Sequence, residues 1–403
     1  MWLRLPLRSL LRNRRRSTLS IAIIALGTAI SFFVLGFFGN ATRSIQETTV
    51  QEFGTLQIAA QSLWDDSAEG YEYLLSRQDL ASVEAILDRE DTVVGRSPQL
   101  SFSGLATAGN ATRVVRATAL VPGNRTLDVN DLIVEGRGLE PTDIAAVLVG
   151  RSFAEQLQLR PGNTITLTIT TVDGAFNASP LEIAGIYRFT SGQVESQQIY
   201  LPLQFGQLLL NTDGVDRLVV MLDDLDATQP VRARIQSALD GVSLSLEVKT
   251  WDELSPFYEQ LTGFFNALFG VVTLAVSVLV FFIILQVLTM SFLERTREVG
   301  TIRALGTKRG EVFRLFFAES IWLALLGSST GIAFGVILGL AFNAVGIEWL
   351  PPGTVEPVAL GIRLTVETAW LPFVVSVVAT MLSAIFPSVQ SARLRVVDAL
   401  RVT

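Results

Sequence analysis

Cysteine and histidine are both absent from the 403 residues. Their absence removes zinc sites built on Cys and His, thiol nucleophiles, Ser-His-Asp triads and every disulfide. Any large domain of this chain must therefore stand on its own core. Charge is scarce as well: Asp, Glu, Lys and Arg make up 17% of the sequence, and the formal net charge is -7. No strongly basic stretch runs along a domain, so nucleic acid is not an expected partner. No G-x-x-x-x-G-K-[ST] phosphate loop occurs in the sequence, and the expectation is that ATP, with its Mg, is bound by another chain. Chemistry by carboxylates alone survives these exclusions, but doublets such as Asp65-Asp66 and Asp223-Asp224 lie in polar, turn-like stretches and read as solvated surface.

Apolar residues, in contrast, are abundant: 49% of the chain, with a mean hydropathy of +0.45. That is more than a soluble domain needs to close a core. They concentrate in four runs, at residues 17–38, 262–291, 313–345 and 368–389, each close to or longer than the ~20 residues that carry a helix across a bilayer core. The first is too long for the apolar region of a signal peptide and ends Phe37-Phe38-Gly39-Asn40, so it reads as a retained anchor. Buried helices of a soluble protein are rarely so long and so free of charge.

Basic residues set the orientation of such spans. Arg4, Arg8, Arg12, Arg14, Arg15 and Arg16 precede the first span. Arg295, Arg297, Arg303, Lys308, Arg309 and Arg314 lie around the 292–312 loop, and Arg393, Arg395 and Arg401 in or next to the 390–403 tail. With four spans all three segments fall on one side, which is the cytoplasm. Residues 39–261 then form a large outward domain and 346–367 a short outer loop.

The outward segment reads as mixed α/β. Val147 to Gly150 predicts a strand, Arg151 to Leu157 a helix, Arg160-Pro161-Gly162-Asn163 a turn, and Thr164 to Thr171 a β-branched strand. Strands are expected again at Leu181 to Tyr187, Gln198 to Leu201 and Leu244 to Lys249. Helices are expected at Leu203 to Leu210 and from Thr228 to Leu239, with Thr228 as N-cap and Pro230 in the first turn.

Three features carry functional candidates. In the inner loop, Val299, Ile302 and Leu305 recur at near-helical spacing and Gly306 closes the pattern, which predicts a short amphipathic helix; a basic turn that merely sets topology is the alternative. In the third span Gly327, Gly331, Gly335 and Gly339 form a ladder at i, i+4 that lets another helix approach closely. The alternatives are internal packing within one subunit and, as the functional reading, contact with a second permease subunit or with its own first span. Phe32, Phe33, Phe264 and Phe265 place aromatic bulk toward the outer ends of spans one and two. They are ordinary lipid-facing residues or the lining of a lateral gate for acyl chains.

The run Glu294-Arg295-Thr296-Arg297-Glu298-Val299-Gly300-Thr301-Ile302-Arg303-Ala304-Leu305-Gly306-Thr307 resembles the coupling segment of FtsX-like permeases, roughly E-R-x-x-E-I-G-x-x-R-A-L-G-A. Val299 and Thr307 are mild departures. The tail from Pro387 to Arg401 is similar to the P-A-x-x-A-x-x-x-P-x-x-A-L-R terminus of these proteins, and Leu148 to Asn163 to the strand-helix-turn of MacB-type domains. Phe53-Gly54-Thr55-Leu56-Gln57-Ile58 looks most like the lipoprotein-releasing LolC/LolE branch, with Thr55 where a His is common. The resemblance implies an α-helical membrane protein with four transmembrane helices and a large α/β extracytoplasmic domain of MacB-like type between the first and second.

The same resemblance implies a permease without catalytic site, metal or cofactor of its own, set in a bacterial inner membrane with both termini cytoplasmic. A cytosolic ABC ATPase dimer would be contacted by Glu294, Arg295, Glu298, Gly300, Arg303, Ala304 and Gly306. The other implied partners are a second permease subunit, identical or homologous, membrane lipid, and a periplasmic carrier or adaptor. The function implied is mechanotransmission: ATP hydrolysis below drives extraction or export of a lipidated or amphiphilic cargo above. The alternatives are a MacB-like efflux permease and an FtsX-like regulator of a cell-wall hydrolase.

Overall fold

A computed structural model describes residues 14–65, 70–124, 126, 129–188, 195–240, 245–294, 296–349 and 358–393. The chain divides into two compact units, one of Met1–Ser44, Leu261–Trp349 and Ala359–Thr403, the other of Ile45–Gln260 and Leu350–Val358.

Long helices build the first unit. Helix α1 (Arg14–Phe53) carries the first apolar run and continues past Phe38 without a break, so its last turns belong to the second unit. The next long helix, Pro256–Glu294, opens on a proline, whose missing N–H costs nothing in a first turn. The third, Arg309–Val345, ends at Gly346 in the left-handed conformation with φ +63°. The fourth, Val366–Arg393, holds Pro372 and Pro387 inside it. All four are long and apolar enough to cross a membrane.

In the second unit, four strands make an antiparallel sheet in the order β10-β1-β9-β2: β1 (Leu56–Ala60), β2 (Val93–Ala108), β9 (Arg217–Leu222) and β10 (Leu246–Thr250). Helix α2 (Arg77–Leu87) joins β1 to β2, and helix α5 (Thr228–Asp240) joins β9 to β10. This is the βαββαβ order of a ferredoxin-like unit. One core holds it together: Val83 and Leu87 of α2 and Val231, Ile235 and Leu239 of α5 against Leu56, Ile58, Leu218, Val220 and Val248. Ser76 caps α2 by accepting from the Asp79 N–H at 3.2 Å, while Asp79 accepts from the Ser76 N–H at 3.1 Å.

Between β2 and β9 the chain makes a second layer. Strands β3 (Ala111–Leu120), β5 (Ala146–Gly150), β6 (Thr164–Thr170), β7 (Phe176–Tyr187) and β8 (Gln198–Pro202) close with β2 into a ring: β2-β3-β8-β5-β7-β6 and back to β2. Short β4 (Ile133–Gly136) adds to β7. Leu100, Phe102, Val115, Ile165, Leu181 and Ile199 fill the ring, and helices α3 (Arg151–Leu157) and α4 (Leu203–Leu210) pack Phe153, Phe205 and Leu209 into the same core. Glu195, wholly buried, accepts from the Ser152 N–H at 3.2 Å at the start of α3; burial pushes its carboxyl above the usual range, against the lowering pull of the Ser152 and Arg151 N–H groups.

Thr228 is not the N-cap that the sequence predicts. Asp224 caps a 3-10 turn over Leu225–Ala227 that runs directly into α5, and the Thr228 hydroxyl donates back to the Leu225 carbonyl at 2.6 Å. Strand β7 also begins earlier than expected, at Phe176.

Candidate functional site

The loop over residues 292–312 forms helix α7 (Thr296–Ala304), after α6 (Pro256–Glu294) and before α8 (Arg309–Val345). Its end is a Schellman closure: Gly306 N–H donates to Arg303 O at 3.0 Å and Thr307 N–H to Ile302 O at 3.4 Å. Gly306 takes φ +100°, a conformation that suits glycine alone among the residues of this turn. Lys308 N–H then donates to the Glu311 carboxylate at 2.9 Å, which starts α8.

The apolar stripe expected on α7 is split between two directions. Val299, 3% exposed, packs in one cluster with Val280, Ile284, Val312 and Phe316, an anchor worth about 1.5–3 kcal/mol by burial. Ile302 and Leu305 point away and are 41% and 83% exposed. Ala304 and Gly306 share that exposed end, and Arg303 is half-buried. Gly300, expected at a partner's surface, is instead buried beside Val299, because the helix turn that aims Val299 inward takes Gly300 with it. Arg295 and the side chains of Glu294 and Glu298 lie outside the described residues. Ile302 and Leu305, expected on one apolar stripe with Val299, are instead the exposed apolar residues beside the expected contact set. A leucine placed just before a helix-ending glycine, out of phase with the buried stripe, was the available signal.

The glycine ladder packs on α1. An ideal Cβ on Gly331 would lie 2.6 Å from the Ala25 carbonyl oxygen and 2.7 Å from Thr28 Cβ; on Gly327 it would lie 2.7 Å from Ile24 Cβ, and on Gly335 2.7 Å from Phe32 Cδ1. Gly339 sits under Leu364 of the following loop. Thr28, itself against Gly331, also ties α1 to α9 (Val366–Arg393), donating to the Ser376 hydroxyl at 2.7 Å. Ser383 of α9 donates to the Phe281 carbonyl of α6 at 3.1 Å.

The four phenylalanines do not come together. Phe32 is fully buried against Gly335, and Phe33 meets Phe342 of α8 edge-on at 5.5 Å. Phe265 packs on Phe38 at 5.7 Å, while Phe264 is 61% exposed. Phe32 therefore lines no gate: the helical phase that puts Ala25 and Thr28 on the ladder puts Phe32 there too. The open apolar space between α1 and α6 lies elsewhere, a groove of about 320 Å³ lined by Ile23, Leu26 and Ile30 on one side and Ala275, Leu279 and Ile283 on the other. Gly27 brings the two helices together beside it, its hydrogen facing Val280. No polar side chain lines the groove.

Among the described residues no group of three or more acidic, cysteine or histidine side chains is placed to hold a metal ion.

Two family models cover this architecture: the MacB-like periplasmic core domain over residues 17–238 and the FtsX-like permease C-terminal region over residues 270–396. The chain belongs to the FtsX-like/MacB-type family of ABC transporter permeases. The permease is 24% identical over 358 residues to the macrolide export ATP-binding/permease protein MacB 2 of Aeromonas hydrophila, a match covering 84% of this chain and 53% of that protein. It thus spans about half the length of that relative. It is 23% identical to the lipoprotein-releasing system transmembrane protein LolE of Haemophilus influenzae, over 78% of this chain and 79% of that one. The uncharacterized ABC transporter permease YknZ of Bacillus subtilis is 22% identical, with 83% and 84% covered. Among solved structures, the periplasmic region of MacB from Actinobacillus actinomycetemcomitans matches 52% of this chain and 95% of its own, at 16% identity and TM-score 0.39. By its family and its four long apolar helices the permease is a multi-pass membrane protein.

Proposed function

We propose that the permease couples ATP hydrolysis by a separate cytosolic ABC ATPase, which holds the ATP and Mg, to work on an amphiphilic or lipidated cargo at the outer side of the inner membrane. The observation that carries this reading is the exposed end of α7. A helix anchored in the bundle by Val299 presents Ile302, Ala304, Leu305 and Gly306 to solvent. Ile302 and Leu305 at the end of a short, well-closed helix offer adjoining apolar surface for a partner to cover, and Arg303 beside them supplies charge selectivity. Under this reading α7 faces the cytoplasm, as do both termini, and two permease subunits dock one ATPase dimer.

The cargo class rests on the groove between α1 and α6. Its lining is wholly apolar, so it suits acyl chains and offers nothing to a polar solute, which would require charges or a wet path within the spans. The likeness to LolE favours a lipoprotein, received by a periplasmic carrier. The likeness to the macrolide export protein MacB favours, as the alternative, an efflux permease.

Leu305→Asp tests the coupling. It removes no buried contact, so the variant inserts and folds as wild type does, and the expected result is loss of ATPase capture and of ATPase stimulation by at least about tenfold, the effect of burying an unpaired carboxylate in an apolar contact. Wild-type capture and stimulation by the variant overturn this placement of the ATPase site.

A further inference from the structure

Two long helices meet the outward unit at adjacent strands of its ferredoxin-like sheet, and the two strands are held unequally. Helix α1 enters β1 through Gly54, whose N–H donates to Val50 O at 2.8 Å and whose φ is +74°; a side chain there would run into Val219. Gln57 Nε2 donates to Phe53 O at 2.7 Å and locks the last turn of α1 to β1. Strand β1 is internal, laddered to β10 on one side and β9 on the other. Helix α6 leaves from β10, through Trp251–Ser255, with the Trp251 ring 4.5 Å from that of Tyr258 on the helix. Among the described residues β10 is an edge strand, laddered to β1 alone. A pull on α6 therefore loads the one strand of the pair that has a free side.

That free side is closed by side chains. Trp251 N–H donates to Thr55 O at 3.2 Å, so in this antiparallel pair the outward-facing backbone groups of β10 are those of Leu246, Val248 and Thr250. Gln236 of α5 donates to Leu246 O at 3.1 Å and accepts from the Val248 N–H at 2.8 Å, as a neighbouring strand would. Arg232 Nε donates to Val248 O at 3.0 Å, and Glu253 accepts from the Thr250 N–H at 3.2 Å. Arg232 and Glu253 complete the clasp by pairing with each other at 3.0 Å. An edge this thoroughly bonded from the side is closed to strand addition. It is also fixed to α5 and, through α5, to the core beneath β1 and β9.

We infer that the Gln236-Arg232-Glu253 clasp keeps β10 seated on β1 while α6 transmits force during ATP turnover, so that the sheet moves as a single body instead of peeling at its edge. The inference rests on the coupling reading above. Without the clasp, β10 holds to β1 by one ladder, and each cycle of tension on α6 opens it.

The test is hydrogen exchange at the β10 amides, in the membrane complex with its ATPase, with and without magnesium ATP, on wild type and on Gln236→Leu. The expected result is slow exchange for wild type in both conditions. Gln236→Leu exchanges about tenfold faster during turnover only, the effect of losing one to two such bonds under load. A purely structural role accelerates exchange equally with and without ATP, and that outcome overturns the inference. So does a variant that exchanges as wild type does. A second variant adds Ala59→Cys and Glu247→Cys, which are paired across β1 and β10 in a chain that has no other cysteine. Their hydrogen-bonded register places the Cα atoms ~5.5 Å apart, within disulfide reach. Oxidation restores slow exchange during turnover to Gln236→Leu and reduction abolishes it; continued fast exchange with the bond formed counts against the clasp. The ATPase rate is read in the same samples. A wild-type chain that does not stimulate the ATPase overturns the coupling reading and this inference with it, whereas stimulation without ATP-dependent exchange overturns the inference alone.

Discussion

Gly331→Val, set beside Gly270→Val, measures how tightly α8 is held to α1. A Cβ at Gly331 falls 2.6 Å from the Ala25 carbonyl oxygen and 2.9 Å from Ala25 Cα, about 0.8 Å and 0.5 Å inside ordinary contact. Both obstacles are backbone, so no rotamer change relieves them, and the helices must separate. Overpacking of this kind costs about 1–3 kcal/mol. Separation also strains the bond from Thr28, itself against Gly331, to Ser376, worth ~0.6 and at most ~1.7 kcal/mol between membrane helices. Valine's better helix propensity returns only a few tenths of a kcal/mol. Gly270 of α6 has nothing within 4 Å of its Cβ position, so there the propensity gain stands alone. Unfolding in a nanodisc or detergent micelle, followed by steric trapping, should place the two variants about 1–3 kcal/mol apart, with Gly331→Val the weaker. Equal stability of the two would refute the close-packed ladder.

Topology and cargo give two further tests. A single cysteine introduced at Thr307, in a chain that has none, should react with membrane-impermeant maleimide only after the cells are opened; labelling from outside intact cells contradicts the orientation. A photocrosslinker at Leu26 or Leu279, both on the groove between α1 and α6, should capture a lipidated species whose yield changes with nucleotide, while one at buried Phe32 should capture none. Capture of bulk phospholipid alone, indifferent to ATP, removes the acyl-chain role from the groove.

The family pattern around Glu294 to Thr307, and not the apolar stripe by itself, is what singled out the inner loop as functional; the structure then redistributed its residues. Leu203–Leu210 is a helix over the residues expected, because its ends are set locally by Pro202 before it and Asn211 in the left-handed conformation after it. Strand β2 was not legible. It runs from the ferredoxin-like sheet into the ring of strands, its buried face changes along the way, and no single alternation spans Val93–Ala108.

The sequence by itself determined what depends on neighbours within a few residues. Apolar run length set the four helices, the arginines proposed their orientation, and Gly306 set where α7 ends. Only tertiary structure decided which partner each face met. The ladder glycines predict a close approach, but the identity of the approaching helix is a fact about α1. The same choice sent Phe32 into the bundle, sent Val299 inward and left Leu305 outside. Gln236 likewise looks like one more polar residue on an amphipathic helix until β10 lies beside it. A side chain's pattern in the chain fixes what it can bond. The fold, which brings together residues far apart in sequence, fixes what it does bond.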